Sequence, residues 1–280
     1  MSILEEIMQT DSSVFKNQDI FNINYLPEII HGRDQELKSI LINIKPILTN
    51  NKVLNTIIMG NPSTGKTTVI KHALLEIENY TDIKTCYINC NIQNTLRKIY
   101  TQIFKLLFEI QPRSNVATEI IQEKIMEKLE QEPLILVFDD LNTLSEPDTN
   151  KLINELFRAN EYYHTNIAII IIVNNILFKY SLEKSAQSIL HCNEIIFTDY
   201  TEEQMYSILK TRCDKGFKPG VINDQQIKKI TKTAKEHSSL RWGLKVLNAL
   251  GLKIETENRD KITENDIMNF TLWKKVIKNK

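Results

Sequence analysis

The stretch "IIMGNPSTGKTTVI" (57–70) constrains the fold of this chain more than any other. Its Gly60, Gly65, Lys66 and Thr67 satisfy G-x-x-x-x-G-K-S/T, a loop whose backbone N–H groups wrap phosphate oxygens at the start of a helix. The pattern has meaning only where a strand enters the loop and a helix leaves it. Both are present: "LNTIIM" (54–59) precedes it, and "TGKTTVIKHALLEIENY" carries apolar residues at helical spacing after it. The spacing assigns phosphate contact to Gly60, Asn61, Pro62, Ser63, Thr64, Gly65, Lys66, Thr67 and Thr68. Lys66 would reach the terminal phosphates, and the Thr67 hydroxyl would complete a Mg²⁺ shell.

The rest of the chain fits that demand. Strand-length apolar runs recur near 83–89, 134–139, 167–173 and 194–197, separated by helix-period segments. Near-continuous apolar strands alternating with helices imply a parallel sheet covered on both faces. The runs at 134–139 and 167–173 are the most apolar and are expected to be central. After about residue 200 the strand signal stops, and four helices are expected at 201–214, 223–237, 239–254 and 263–278. The expected organisation is an N-terminal extension (1–20), an α/β domain (21–199) and a small all-helical domain (200–280).

Net charge is zero but unevenly placed: residues 201–280 hold 17 Lys and Arg against 10 Asp and Glu, the first 200 hold 18 against 25. A basic C-terminal part is compatible with a polyanion or with solvated helix faces. Cys86, Cys90, Cys192 and Cys213 form no metal-spaced pair and read as reduced thiols. "MSILEEIMQT" lacks the basic start of a signal peptide, and no apolar run approaches a membrane span. A cytosolic-type chain is expected, nuclear if the host is eukaryotic.

"LILVFDDLNTL" (134–144) ends a buried-type strand in Asp139 and Asp140. Asp139 lies where its carboxylate can hold Mg²⁺ beside the phosphate loop. Asp140 follows, where a glutamate commonly polarises the attacking water; aspartate has similar basicity but is one methylene shorter. "IIIIVNN" (169–175) places Asn174 at another strand end, where an amide can orient water against a γ-phosphate, or simply close an Asx turn. Together these imply ATP or ADP with Mg²⁺.

Four stretches resemble the AAA+ ATPases of the archaeal and eukaryotic origin recognition complex and cell-division-control replication-initiator family. They are "INYLPEIIHGRDQELKSI" (23–40), "CYINCN" (86–91), "EIIFTDYTEEQMYSILKTRCDKGFKPGVIND" (194–224) and "EHSSLRWGLKVLNAL" (236–250). The resemblance implies an AAA+ P-loop fold, a five-stranded parallel sheet followed by a helical lid. It also implies roles for Asn174 and Arg241 as sensors of the γ-phosphate, and a base pocket near Tyr25, Leu26 and Arg33. Implied partners are DNA, related AAA+ subunits or replication proteins, with no membrane.

Two departures accompany it. Ser185, beside Lys184, stands where the family presents an arginine finger to a neighbour, and Arg158 is a weak substitute. The family's C-terminal winged-helix domain has no counterpart before Lys280, so DNA contact is expected to be weak and through backbone phosphates, with Arg97, Lys98 and Arg113 in the 92–131 segment nearby. The expected function is an ATP-controlled switch in replication initiation, a weak ATPase at most. The alternatives are a non-hydrolysing ATP-binding subunit of a larger assembly, or a transposon- or plasmid-type AAA+ regulator that loads onto DNA.

Overall fold

The apolar runs pair into one parallel sheet. The computed structural model describes residues 13–270 apart from 50, 52 and 160–162. Its strands are β1 (Asn55–Gly60), β2 (Lys84–Asn89), β3 (Leu134–Asp139), β4 (Ile167–Val173) and β5 (Cys192–Phe197), in the order β2-β3-β4-β1-β5. Every residue of β3 and β4 is buried, because both strands are interior and covered on both faces. The register pairs Asn89 with Asp139 and Asp139 with Ile172.

The helices of this unit are α1 (Asp34–Ile44), α2 (Lys66–Tyr80), α3 (Leu96–Phe108), α4 (Thr118–Leu129), α5 (Glu146–Phe157) and α6 (Lys184–Ile189). α3 begins at the Thr95 cap, whose hydroxyl accepts from the Lys98 amide, and lays Ile99, Tyr100, Ile103 and Leu107 into the core. That i, i+1, i+4, i+8 spacing is the apolar stripe of an amphipathic helix. α3 and α4 occupy most of the 92–131 segment between β2 and β3.

A second compact unit gathers the described residues up to Gly32 with those from Asp199 onward; the first runs from Arg33 to Thr198. It holds α7 (Glu202–Gly216), α8 (Asp224–Glu236) and α9 (Leu240–Thr256), with a further helical stretch over 264–270. Reciprocal capping boxes start α7 (Thr201 and Gln204) and α8 (Asn223 and Gln226), satisfying orphan N–H groups at each N-terminus. The expected helix 263–278 starts as anticipated, with Asp266 and Thr263 exchanging cap bonds, but residues 271–278 lie outside the described residues.

The two units divide at the Thr198–Asp199 join, one residue before the expected 199/200 boundary, and residues 21–32 group with the helical unit rather than the α/β unit. The reason is an aromatic arm. Phe15, Phe21 and Phe217 form one cluster, with Phe21 and Phe217 centroids 4.5 Å apart. The amides of Lys16 and Asn17 donate to Gly216 O, and Lys218 N donates to Val14 O. Of the expected extension 1–20, residues 13–20 therefore belong to the helical unit, and 1–12 lie outside the described residues. Cys86, Cys90 and Cys213 are buried free thiols, Cys192 is half-buried and free, and burial pushes the Cys86 and Cys90 thiols up to about 12. Among the described residues no helix is long and apolar enough to cross a membrane.

Candidate nucleotide site

β1, β4 and β3 lie side by side, so their C-terminal ends bring Gly60, Asn174 and Asp139 to one edge of the sheet. In open parallel sheets that edge is where ligands bind. The loop between β1 and α2 turns through left-handed backbone at Ser63 (φ 69°) and Gly65 (φ 92°), which caps α2. Gly60 has φ 155°, and a Cβ there would stand 2.3 Å from the Phe197 carbonyl of the neighbouring β5. Thr64 Oγ1 donates to Asn61 O at 2.8 Å. Lys66 is only 5% exposed, and its Nζ donates to Gly60 O (2.7 Å) and Asn61 O (2.8 Å), which keeps the ammonium over the loop.

Thr67 Oγ1 donates to Asp139 Oδ2 at 2.7 Å, across 72 residues of sequence. The Tyr87 hydroxyl donates to the same oxygen at 2.5 Å. Burial, then the Asp139 charge, push the Tyr87 phenol far above its ordinary range, so it remains a donor. Lys71 lies over the Tyr87 ring, 5.0 Å from its centroid. A hydroxyl and a carboxylate are the hard oxygen donors Mg²⁺ takes. The described residues contain no cluster of three or more His, Cys, Asp or Glu. The donor set therefore fits an ion shared with phosphate oxygens rather than one caged by protein.

Asp140 adopts left-handed backbone (φ 58°), which aspartate and asparagine tolerate better than most side chains. Its Oδ1 accepts from Asn174 Nδ2 at 2.6 Å and its Oδ2 from Asn91 Nδ2 at 2.8 Å. Asn91 is aimed by an Asx turn, its amide donating to Asn89 Oδ1 (3.0 Å). The Asn174 amide in turn donates to Asn142 Oδ1. The expected pair Asp140 and Asn174 thus meet directly, and Tyr87, Asn91 and Asn142 are site residues the sequence reading missed. Nothing in the local sequence singles them out; strand register places Tyr87, and the turns after β2 and β3 place Asn91 and Asn142.

The remaining expected residues fall elsewhere. Arg33 lies in the α/β unit, 2% exposed, and its side chain contacts the loop itself rather than an open pocket. Tyr25, Leu26 and Arg241 belong to the helical unit. There the Arg212 guanidinium covers the Tyr25 ring at 4.5 Å, and Arg241 is exposed on the first turn of α9 after the Ser239 cap. Ser185 is exposed on the first turn of α6, next to Lys184, and Arg158 caps the C-terminus of α5. Arg97 donates to the carbonyls of Val116, Arg113 and Ser114, tying α3 to the turn before α4, and Lys98 donates to Asn94.

Comparison with known proteins places this geometry. Residues 52–180 match a family model described as an AAA domain, and 206–269 match the Cdc6 AAA+ ATPase-type lid domain. ORC1-type DNA replication protein 2 of Methanothermobacter thermautotrophicus is 32% identical over 270 residues, covering 94% of this chain and 71% of that protein. The chain belongs to the ORC1-type DNA replication protein family. An ORC1-type protein of Methanosarcina mazei is also 32% identical, over 94% of this chain and 72% of its own length. In structure, the Aeropyrum pernix ORC1 protein solved in complex with DNA superposes with a TM-score of 0.83 at 23% identity, over 92% of this chain and 69% of that one. Cdc6p of Pyrobaculum aerophilum gives 0.81 at 21% identity, over 90% and 70%. These likenesses establish the AAA+ fold with its helical lid, and a P-loop ATPase of this family is a nucleotide-binding protein.

Proposed function

We propose that this chain binds ATP with Mg²⁺ and acts in replication initiation as a nucleotide-controlled, DNA-contacting switch with slow hydrolysis. The observation that carries the proposal is the meeting of Thr67 and Asp139 at 2.7 Å beside the phosphate loop, in a chain 32% identical to a DNA replication protein. In this reading Lys66 and the loop from Gly60 to Thr68 hold the phosphates, and Thr67 and Asp139 hold the ion, which would neutralise charge on the transferring phosphate. Asn174 and Arg241 sense the γ-phosphate, and Tyr25 and Leu26 border the base. Asp140 is the residue that orients the attacking water.

Slow hydrolysis has three supports. Asp140 is shorter than a glutamate, its two oxygens are each held by an amide, and Ser185 stands where an arginine would come from a partner. An arginine supplied in trans is worth about 10³–10⁵ in rate in phosphoryl transfer. A nucleotide-state signal needs only that ATP and ADP be held differently, so slow turnover is compatible with switching. DNA contact, as in the Aeropyrum pernix protein solved with DNA, is expected here, and the basic 201–280 segment would make it mainly through backbone phosphates. Related AAA+ subunits are the other expected partners.

The Asp140 amide clamp also favours a second reading, a subunit that binds ATP without hydrolysing it. One experiment tests both. ATP affinity and turnover are measured for the wild type and Lys66→Ala, with and without duplex DNA. Tight binding lost in Lys66→Ala, with slow turnover raised by DNA, supports the switch. Tight binding with no turnover in either condition supports the second reading, and ATP affinity unchanged by Lys66→Ala overturns the site itself.

A further inference from the structure

The end of β5 backs the phosphate loop at two points. Gly60 abuts the Phe197 carbonyl, as described above, and Arg33 ties the middle of the loop to the next residue. Arg33 Nε donates to Thr64 O at 3.1 Å, and one terminal nitrogen donates to Thr198 O in a short contact. The other terminal nitrogen pairs with Glu36 Oε1 at 2.5 Å, and the guanidinium lies over the Phe197 ring, 5.1 Å from its centroid. A phosphate loop presents its amides to the anion, so a carbonyl such as that of Thr64 points away from the ligand. Arg33 therefore grips the loop from behind.

We infer that Arg33 is a positioning residue for the phosphate loop and not part of the base pocket. Only an arginine fits the job. Its rigid fork reaches two carbonyls and a carboxylate at once, and its charge survives burial because the guanidinium does not deprotonate in proteins. The contacts also lock Thr64 against Thr198, the last residue of the α/β unit, so the shape of the loop is set by the end of β5. This inference rests on the proposed nucleotide site and concerns which part of the nucleotide Arg33 serves.

The test compares ATP, GTP and inorganic tripolyphosphate binding by calorimetry in the wild type and in Arg33→Ala, at a temperature where both are folded. A loop-positioning role weakens all three by the same factor, about tenfold or more for the loss of charged hydrogen bonds. Added guanidinium ion restores part of the loss. Weakening confined to ATP, with tripolyphosphate unchanged, would assign Arg33 to the base pocket and overturn the inference. So would unchanged affinity for all three ligands alongside a lowered melting temperature, the mark of a purely structural arginine. If Arg33→Ala does not fold, Arg33→Lys and Glu36→Gln carry the same comparison, with the same equal weakening expected and the same selective or absent effect overturning it. A wild type that binds none of the three ligands would instead sink the nucleotide site as a whole, which is a separate outcome.

Discussion

Asp139 and Asp140 are adjacent in the chain, yet the backbone sends their carboxylates to different partners. Asp139 ends β3 in extended backbone and receives the hydroxyls of Thr67 and Tyr87; Asp140 turns left-handed and receives the amides of Asn91 and Asn174. Groups that orient a metal ligand matter nearly as much as the ligand, and their loss typically costs about 10–100-fold in metal affinity. Tyr87→Phe is accordingly expected to raise the Mg²⁺ needed for half-maximal tight ATP binding about tenfold, while ATP binding without Mg²⁺ stays the same. Fluorescent-nucleotide titrations across Mg²⁺ concentrations check this; an unchanged Mg²⁺ requirement would remove Tyr87 from the site. Lys66, Thr67 and Asp139 could be singled out in the sequence because a fixed spacing and a strand end mark them, and Thr67 and Asp139 do meet in the structure. Tyr87 could not, because its role depends on register. Pairing with Val137 puts it on the face that Asp139 shares, since side chains two apart on a strand point the same way. Arg33 was singled out in the sequence through the resemblance, but its contacts with the Thr64 and Thr198 carbonyls join distant segments that no local pattern links.

At the scale of elements, the approach of β1 to β5 leaves no room at Gly60. Gly60→Ala would drive a Cβ to 2.3 Å from the Phe197 carbonyl, where the obstacle is backbone and cannot rotate away. We expect a loss of about 2 kcal/mol or more in urea-unfolding stability, together with weakened nucleotide binding. A stable, ATP-binding variant would show that β1 and β5 are not so closely held. In the helical unit, Asp266 accepts from Arg259, Lys253 and Thr263, and the Arg259 guanidinium chiefly holds its carboxyl far below the usual range. A folded-state pKa below the unfolded one contributes stability present above the ordinary aspartate value near ~4 and lost progressively as pH falls from there through the folded value. Asp266→Asn is expected to cost about 2 kcal/mol at pH 7, from hydrogen bonds between charged groups, and about 1 kcal/mol less at pH 3. Thermal melts of both proteins at the two pH values decide it, and an equal cost at both would contradict the charge argument. The five strands and the helices expected at 201–214, 223–237 and 239–254 were legible to within a residue or two, because each carries an apolar run or period of its own. α1 and α6 were not anticipated. Nor was the aromatic arm, since Phe15 and Phe21 meet Phe217 only across some 200 residues, and no local pattern announces such a contact.

Over the whole molecule, the proposed switch couples a nucleotide site in the α/β unit to DNA contact through the basic C-terminal segment. Residues 201–280 carry an excess of seven positive charges, whereas residues 1–32, whose described part joins the same helical unit, carry an excess of four negative ones. Each neutralised phosphate steepens the fall of log K with log salt by about 0.9. An ATP-controlled switch must bind DNA differently in its two nucleotide states, because a ligand shifts an equilibrium only by its differential affinity. The most direct test is the fluorescence anisotropy of labelled duplex DNA titrated with the protein in ATP and in ADP, across a series of salt concentrations. The expected result is binding that weakens linearly with log salt and differs at least about tenfold between ATP and ADP, one coupling free energy of the usual size. No salt-dependent binding in either state, or identical curves in both, would contradict it.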